Sequence, residues 1–237
     1  MKNAYEVIKR GGLLPARGRG RRPRVEPAKI LAACVAMAGH GLSFRKAVEA
    51  AYDAFGERIP LSTLHRYWHR HARLARELAS RLAGPGDVPA VGSTGLPGCK
   101  AHLAHDVDRD RLVAVVVTGP AASDARGLRA LLDELPGGPG VLLGDAAYFG
   151  WNLFWRAARR GYLLVARPRR PSGRRRSRAR GPEELFTWFR GLYRRRAEGE
   201  RGAALLKRYL GRPRQGLRDP AAFYSAAVAW LMLYLAL

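Results

Sequence analysis

Apolar residues first fall into a regular pattern at Pro27, where Ile30, Leu31, Cys34, Val35 and Met37 recur at helical spacing behind a proline suited to a first helical turn. Gly39, His40 and Gly41 end that helix. Ser43 then caps a second one carrying Phe44, Val48, Ala51 and Phe55. Gly56 to Pro60 form the next turn. Ser62 caps a third helix, Thr63 to about Leu82, with Arg66, Tyr67, Arg70, Arg73 and Arg76 along it. Three short helices with a Gly-containing turn and a basic last helix fit a helix-turn-helix module, with an ordinary three-helix bundle as the alternative.

Gly84-Pro85-Gly86 punctuates the chain, and the pattern after it changes to strands. Val88 to Thr94, Lys100 to His105 and Leu112 to Thr118 are short runs with β-branched content, separated by Gly-Leu-Pro-Gly and Asp-Val-Asp-Arg-Asp turns. A helix over about Ala125 to Leu135 precedes an apolar strand, Gly140 to Asp145. Another helix, about Trp151 to Arg160, precedes the strand Tyr162 to Ala166. Three antiparallel strands followed by alternating helix and strand is the element order of a ribonuclease-H-like α/β sheet, a mixed sheet flanked by helices. Helices over about Glu183 to Gly191 and Leu192 to Leu210 follow. The tail, Ala221 to Leu237, is nearly uncharged and at the lower edge of transmembrane length. Its alanines, Tyr224 and Ser225 predict a helix packed on the sheet, with no membrane partner. The expected division is a basic flexible arm over 1–25, a helix-turn-helix domain over 26–84 and a ribonuclease-H-like domain over 85–237.

Composition adds a partner. The chain has 237 residues, 47% of them hydrophobic, so a sizeable core is available. Lys and Arg number 43 against 19 Asp and Glu, a net charge of +24. That excess disfavours an ordinary metabolic enzyme and points to a polyanion, most often nucleic acid. Nearly all of it is arginine, whose planar fork pairs bidentately with phosphate, although a GC-rich genome also raises arginine usage. Two segments concentrate it. In the arm, Arg17, Arg19, Arg21, Arg22 and Arg24 alternate with Gly18, Gly20 and Pro23, suiting either a minor-groove arm or a solvated basic tail. A loop over 167–181 carries Arg167, Arg169, Arg170, Arg174, Arg175, Arg176, Arg178 and Arg180, a density that predicts bound nucleic acid as counter-charge. Cys34 and Cys99 are the only cysteines, which predicts a reducing compartment and no disulfides; a nucleic-acid partner then makes the expected place the cytoplasm, with nucleoid association.

Candidate chemistry begins with Asp145, at the end of an apolar strand, where functional groups of open α/β sheets collect; a metal ligand and a turn cap are both open for it. Tyr193, Arg196, Glu200 and Lys207 fall in a stripe about 60° wide if they share one helix. A carboxylate flanked by an aromatic and two cations suits a metal-bound phosphodiester, with Glu200 on the ion, Arg196 and Lys207 on phosphates and Tyr193 on a sugar or base. A solvated charged face is the alternative. His65, His69 and His71 lack a spaced Cys or carboxylate partner, so they are expected to face DNA or solvent and not a metal. Trp151, Trp155 and Trp188 are expected in the core, with stacking on a flipped base as the alternative.

The spacing Tyr-x2-Arg-x3-Glu-x6-Lys at Tyr193, Arg196, Glu200 and Lys207 resembles the signature of DDE-class insertion-sequence transposases. Gly144-Asp145-Ala146-Ala147-Tyr148 resembles that family's second-aspartate strand, Gly-Asp-x-x-Tyr. Ala90-Val91-Gly92-Ser93-Thr94-Gly95-Leu96 resembles its first-aspartate strand, Val-Asp-Ser-Thr-Gly, and Asp124 fits the family pattern as well. The resemblance implies binding of double-stranded DNA at element ends and target. It also implies a homodimer on DNA, Mg²⁺ or Mn²⁺ held by Asp145 and Glu200, and strand cleavage followed by strand transfer. DNA contacts are expected from Tyr193, Arg196, Lys207, Arg66, Arg70, Arg19, Arg21, Arg174, Arg175 and Arg176.

One departure matters: the position of the first catalytic aspartate is Gly92, and glycine offers no ligand. Asp87, Asp106, Asp108 and Asp110 belong to the far end of the strands and should not reach. Catalysis is therefore expected to be impaired or absent. A DNA-binding relic that does not cut is the first alternative, and a basic RNA-binding protein is the second.

Overall fold

The computed structural model describes residues 1–10, 24–84, 86–168, 180–211 and 217–237. In chain order the helices α1 (Lys2–Arg10), α2 (Pro27–Gly39), α3 (Phe44–Phe55), α4 (Leu61–Arg70) and α5 (Ala72–Ala83) come first. Strands β1 (Pro89–Leu96), β2 (Cys99–Asp106) and β3 (Arg111–Thr118) follow. Then come α6 (Asp124–Glu134), β4 (Gly140–Gly144), α7 (Trp151–Ala158), β5 (Tyr162–Ala166), α8 (Arg180–Trp188), α9 (Arg190–Tyr193), α10 (Glu200–Leu210) and α11 (Pro220–Ala236). The chain divides into two compact units, Met1–Leu82 with Gln215–Leu237, and Ala83–Arg214.

The helical unit is built around α2. Every residue from Ile30 to Gly39 is buried, as a helix apolar on all sides requires. It packs against α1, α3, α4 and α11. Ser43 Oγ caps α3 by accepting the Lys46 N–H at 3.3 Å, as the sequence predicts. Three expectations are corrected here. The first ten residues, expected within a flexible arm, form α1; Ala4 and Ile8 are buried, and Tyr5 donates its hydroxyl to Glu26 at 3.0 Å. The expected third helix starts at Leu61 without a side-chain cap from Ser62 and is interrupted at His71. The closing helix was expected on the sheet, yet it packs on α2 and α4. The reason is that α11, like α2, is apolar all round and so needs partners on several sides. At the closest point Gly39 admits Tyr234, whose ring lies 2.3 Å from where a Cβ would stand. No helix among the described residues is long and apolar enough to cross a membrane.

The second unit is a five-stranded mixed sheet in the order β3-β2-β1-β4-β5. The first three strands are antiparallel neighbours, and β4 and β5 run parallel to β1. This order, with helices on both faces, is consistent with the expected ribonuclease-H-like arrangement. On one face Val91, Ala104, Leu142 and Leu164 pack with Leu128, Leu131 and Leu132 of α6 and Leu153 of α7. On the other, Ala90, Leu143 and Val165 pack with Phe186, Phe189, Leu192 and Tyr193 of the α8–α9 segment. Both faces are thus covered from within the unit.

Candidate active site

Strand register brings the candidate residues together. Ala90 of β1 pairs with Leu143 of β4, and Leu143 pairs with Val165 of β5. Two residues further along the three parallel strands come Gly92, Asp145 and Arg167. They stand level, about 4.8 Å apart from strand to strand. Side chains alternate across a sheet, so this row shares the face of Ala90, Leu143 and Val165, the face covered by α8 and α9. Asp145 ends its strand in extended backbone and caps the short 3-10 turn Ala146–Tyr148, accepting the Ala147 N–H at 2.8 Å. The turn cap and the candidate ligand are therefore the same carboxylate, with one oxygen engaged by the backbone.

The segment carrying Glu200 lies against β1. α9 ends at Tyr193, Arg194–Gly199 wind as a 3-10 helix, and Glu200 opens α10. This corrects the expectation of one helix from Leu192 to Leu210, so the four signature residues share no continuous helical stripe. The physical reason lies at Gly199: a Cβ there would stand 2.4 Å from the Ala90 Cβ, so backbone packs directly on β1. Glycine is also a poor helix former, and the tighter 3-10 winding occupies the junction. Arg195 clamps the junction from outside. It donates to Asp108 Oδ1 at 2.5 Å, to the Val107 carbonyl at 3.3 Å and to Glu198 at 3.2 Å.

Arg196 reaches Glu200 at 3.7 Å. Tyr193 packs edge-on to Phe186 at 4.9 Å. Burial first of all pushes the Tyr193 phenol above its ordinary range. Arg196 opposes the rise, the Asp145 charge adds to it, and Arg167 opposes it through both its charge and a backbone N–H to the phenol oxygen. The Tyr193 hydroxyl thus lies among Asp145, Arg196 and Arg167. Arg167 and Lys207 are exposed, and neither has an ion-pair partner among the described residues.

On the opposite face Ser93 hydrogen-bonds both Asp124 and Tyr148. Asp124 also receives Lys100 Nζ at 2.8 Å. Burial tends to raise the Asp124 carboxyl, but the Lys100 and Ser93 hydrogen bonds and the Lys100 charge outweigh it and hold it below the ordinary range. Burial pushes the Tyr148 phenol up, with the Asp124 and Asp145 charges adding to the rise. Because Ser93 and Gly92 point to opposite faces, Asp124 does not stand in for a carboxylate at position 92. The acids of the β2–β3 turn are no substitute. Asp106 pairs with Pro89, three residues before Gly92, while Asp108 binds Arg195 and Asp110 lies 3.3 Å from His105.

At Gly92 a Cβ would meet no atom within 4 Å. The position is open, on the right face, and level with Asp145. Residues 84–236 match the family described as transposase DDE domain. The chain belongs to the DDE transposases. It is therefore, at the level of its family, a protein of DNA transposition. No curated protein matches it.

DDE transposases normally use divalent metal ions, and the residues present in this member do not fit them. The row offers Asp145, with nothing from Gly92, and Glu200 opens α10 beside Gly199, which packs on β1. Among the described residues no three His, Cys, Asp or Glu side chains gather where they could hold an ion.

The remaining expected contacts are distributed more widely. Arg66 and Arg70 are exposed on α4 and make no ion pair among the described residues. His65 and His69 of the same helix stack at 4.9 Å. Arg19, Arg21, Arg174, Arg175 and Arg176 lie outside the described residues. Trp155 and Trp188, expected in the core, are 57% and 74% exposed, and Trp151 stacks on Trp155 at 5.9 Å. Their placement on the outer sides of α7 and at the end of α8 keeps them from the apolar clusters. Sequence reasoning missed Arg167 as an individual site residue. The available signal was its place immediately after an apolar strand parallel to the Asp145 strand.

Proposed function

We propose that this DDE transposase binds double-stranded DNA and does not cut it. The observation that carries the reading is the row at the strand ends, in which Gly92 leaves an open position level with Asp145 and on the Glu200 face. Phosphodiester transfer of this class needs a carboxylate bridging the ions, and no neighbour replaces it. Helices α3 and α4 act as a helix-turn-helix, with Arg66 and Arg70 of α4 on the DNA. Tyr193, Arg196 and Lys207 hold the strand at the site. A homodimer pairs two element ends.

The test is nicking of a plasmid carrying the gene's own flanking DNA in Mg²⁺ or Mn²⁺. Three proteins are compared: the chain itself, Gly92→Asp, and Gly92→Asp with Asp145→Ala. The expected result is nicking by Gly92→Asp alone. Nicking by the chain itself would overturn the reading, because it requires another carboxylate at the metal.

A further inference from the structure

We propose that the strand-end site holds the DNA backbone without a divalent cation, so that loss of the carboxylate at position 92 has turned a metal-dependent site into a cation-independent phosphate clamp. This rests on the DNA-binding reading above.

The argument is one of charge and position. A site that binds divalent ions needs a surplus of negative groups, since each ion brings two positive charges that the carboxylates must offset. Here Asp145, Arg167 and Arg196 all act on the Tyr193 phenol, and Glu200 and Lys207 follow on α10. Arg196 already lies 3.7 Å from Glu200 and offsets its charge. Asp145 spends one oxygen on the Ala147 N–H. Arg167 is level with Asp145 on the next strand, exposed, and without an ion-pair partner among the described residues. Lys207 lies about two turns beyond Glu200 on the same side of α10. The surplus is positive, which repels a dication and attracts a phosphodiester. The Tyr193 hydroxyl, beside Asp145 and Arg167, supplies a neutral hydrogen-bonding group at the same place. A guanidinium's planar fork matches two non-bridging phosphate oxygens.

A carboxylate at position 92 would cancel that surplus. It would weaken the approach of a phosphate unless a cation offset its charge. Binding by Gly92→Asp should therefore depend on magnesium, and binding by the chain itself should not.

The experiment is fluorescence anisotropy of the full chain on a labelled duplex of its own flanking DNA, in EDTA and in Mg²⁺ at matched ionic strength. The chain itself should bind with affinities within about twofold in the two buffers, because phosphate contacts depend on total salt and not on a bound ion. Gly92→Asp should bind about fivefold more weakly in EDTA and recover in Mg²⁺. Gly92→Asn, the same shape without the charge, should behave like the chain itself. Arg167→Ala should weaken binding in EDTA and lower the slope of log affinity against log salt by about one. Binding by the chain itself that tightens severalfold in Mg²⁺ would overturn the clamp and leave the DNA-binding reading intact. So would a Gly92→Asp affinity equal to the parent's in EDTA. Absence of DNA binding in both buffers would overturn the DNA-binding reading itself.

Discussion

Trp230 donates its indole N–H to the backbone carbonyl of Trp68 at 2.9 Å, joining residues 162 positions apart in the chain. Trp68 lies in the last turn of α4, where carbonyls run out of intrahelical donors. The two indoles stack at 6.3 Å, and Phe223 stacks on Trp68 at 5.8 Å. A capping bond and an aromatic cluster thus coincide at the point where the closing helix meets the helix proposed to read DNA.

Removing that contact should unfold the helical unit. Trp230→Ala is expected to cost about 3–5 kcal/mol. Trp230→Phe, which keeps most of the ring and orphans the carbonyl, should cost about 1–3 kcal/mol. Urea unfolding followed by circular dichroism checks both, and a cost for Trp230→Ala near zero would contradict the packing described.

Gly92 on β1 and Gly199 packed against β1 should respond oppositely to alanine. Gly199→Ala drives a methyl into Ala90 and should destabilise the sheet unit by about 1–3 kcal/mol, the usual cost of overpacking. Gly92→Ala meets nothing and removes backbone freedom from a strand, so it should be neutral or stabilising by about 0.5–1 kcal/mol. Equal effects from the two would refute the register given for the site.

Acid should weaken the fold before its carboxylates titrate. Burial, aided by the Lys100 charge, lowers the His102 imidazole, and burial lowers His105 despite Asp110 and Asp106 beside it. Both rings therefore hold a proton less readily in the folded chain than in the unfolded one. The stability this gives is complete above the ordinary histidine value of about 6.5 and is lost as pH falls below it. The melting temperature should drop between pH 7 and pH 5, and His102→Gln should flatten the drop.

Both thiols should be silent in the native chain. Cys34 is fully buried, and burial pushes the Cys99 thiol up to about 11. A thiol-reactive disulfide dye should label neither cysteine at pH 8 and both in guanidinium. Fast labelling of Cys99 in the native protein would show the β1–β2 hairpin to be open.

The strands were legible because their apolar runs are short, β-branched and bounded by strong turns; the observed spans differ from the expected ones by a residue or two. Asp145 was legible because a carboxylate closing an apolar strand stands out. The row it belongs to was not, since parallel register is set by packing between distant segments and leaves no local pattern. The α9–α10 break was hidden for a related reason: Gly199 reads as an ordinary helix weakener until Ala90 is seen beneath it. Likewise α1 was masked by the basic run after it, although Ala4 and Ile8 are spaced to share a helix face.

The closing helix sets an order of events during synthesis. α2 leaves the ribosome some 180 residues before α11 begins, roughly ten to forty seconds at ordinary elongation rates. In that interval α2 exposes the apolar side that α11 later covers, while the sheet unit already has all its strands. The nascent chain thus acquires its proposed strand-end clamp before its proposed DNA-reading helices are secured. A ribosome that stalls before Pro220 leaves a product with an unsealed greasy flank, suited to chaperones and proteases and not to an operator.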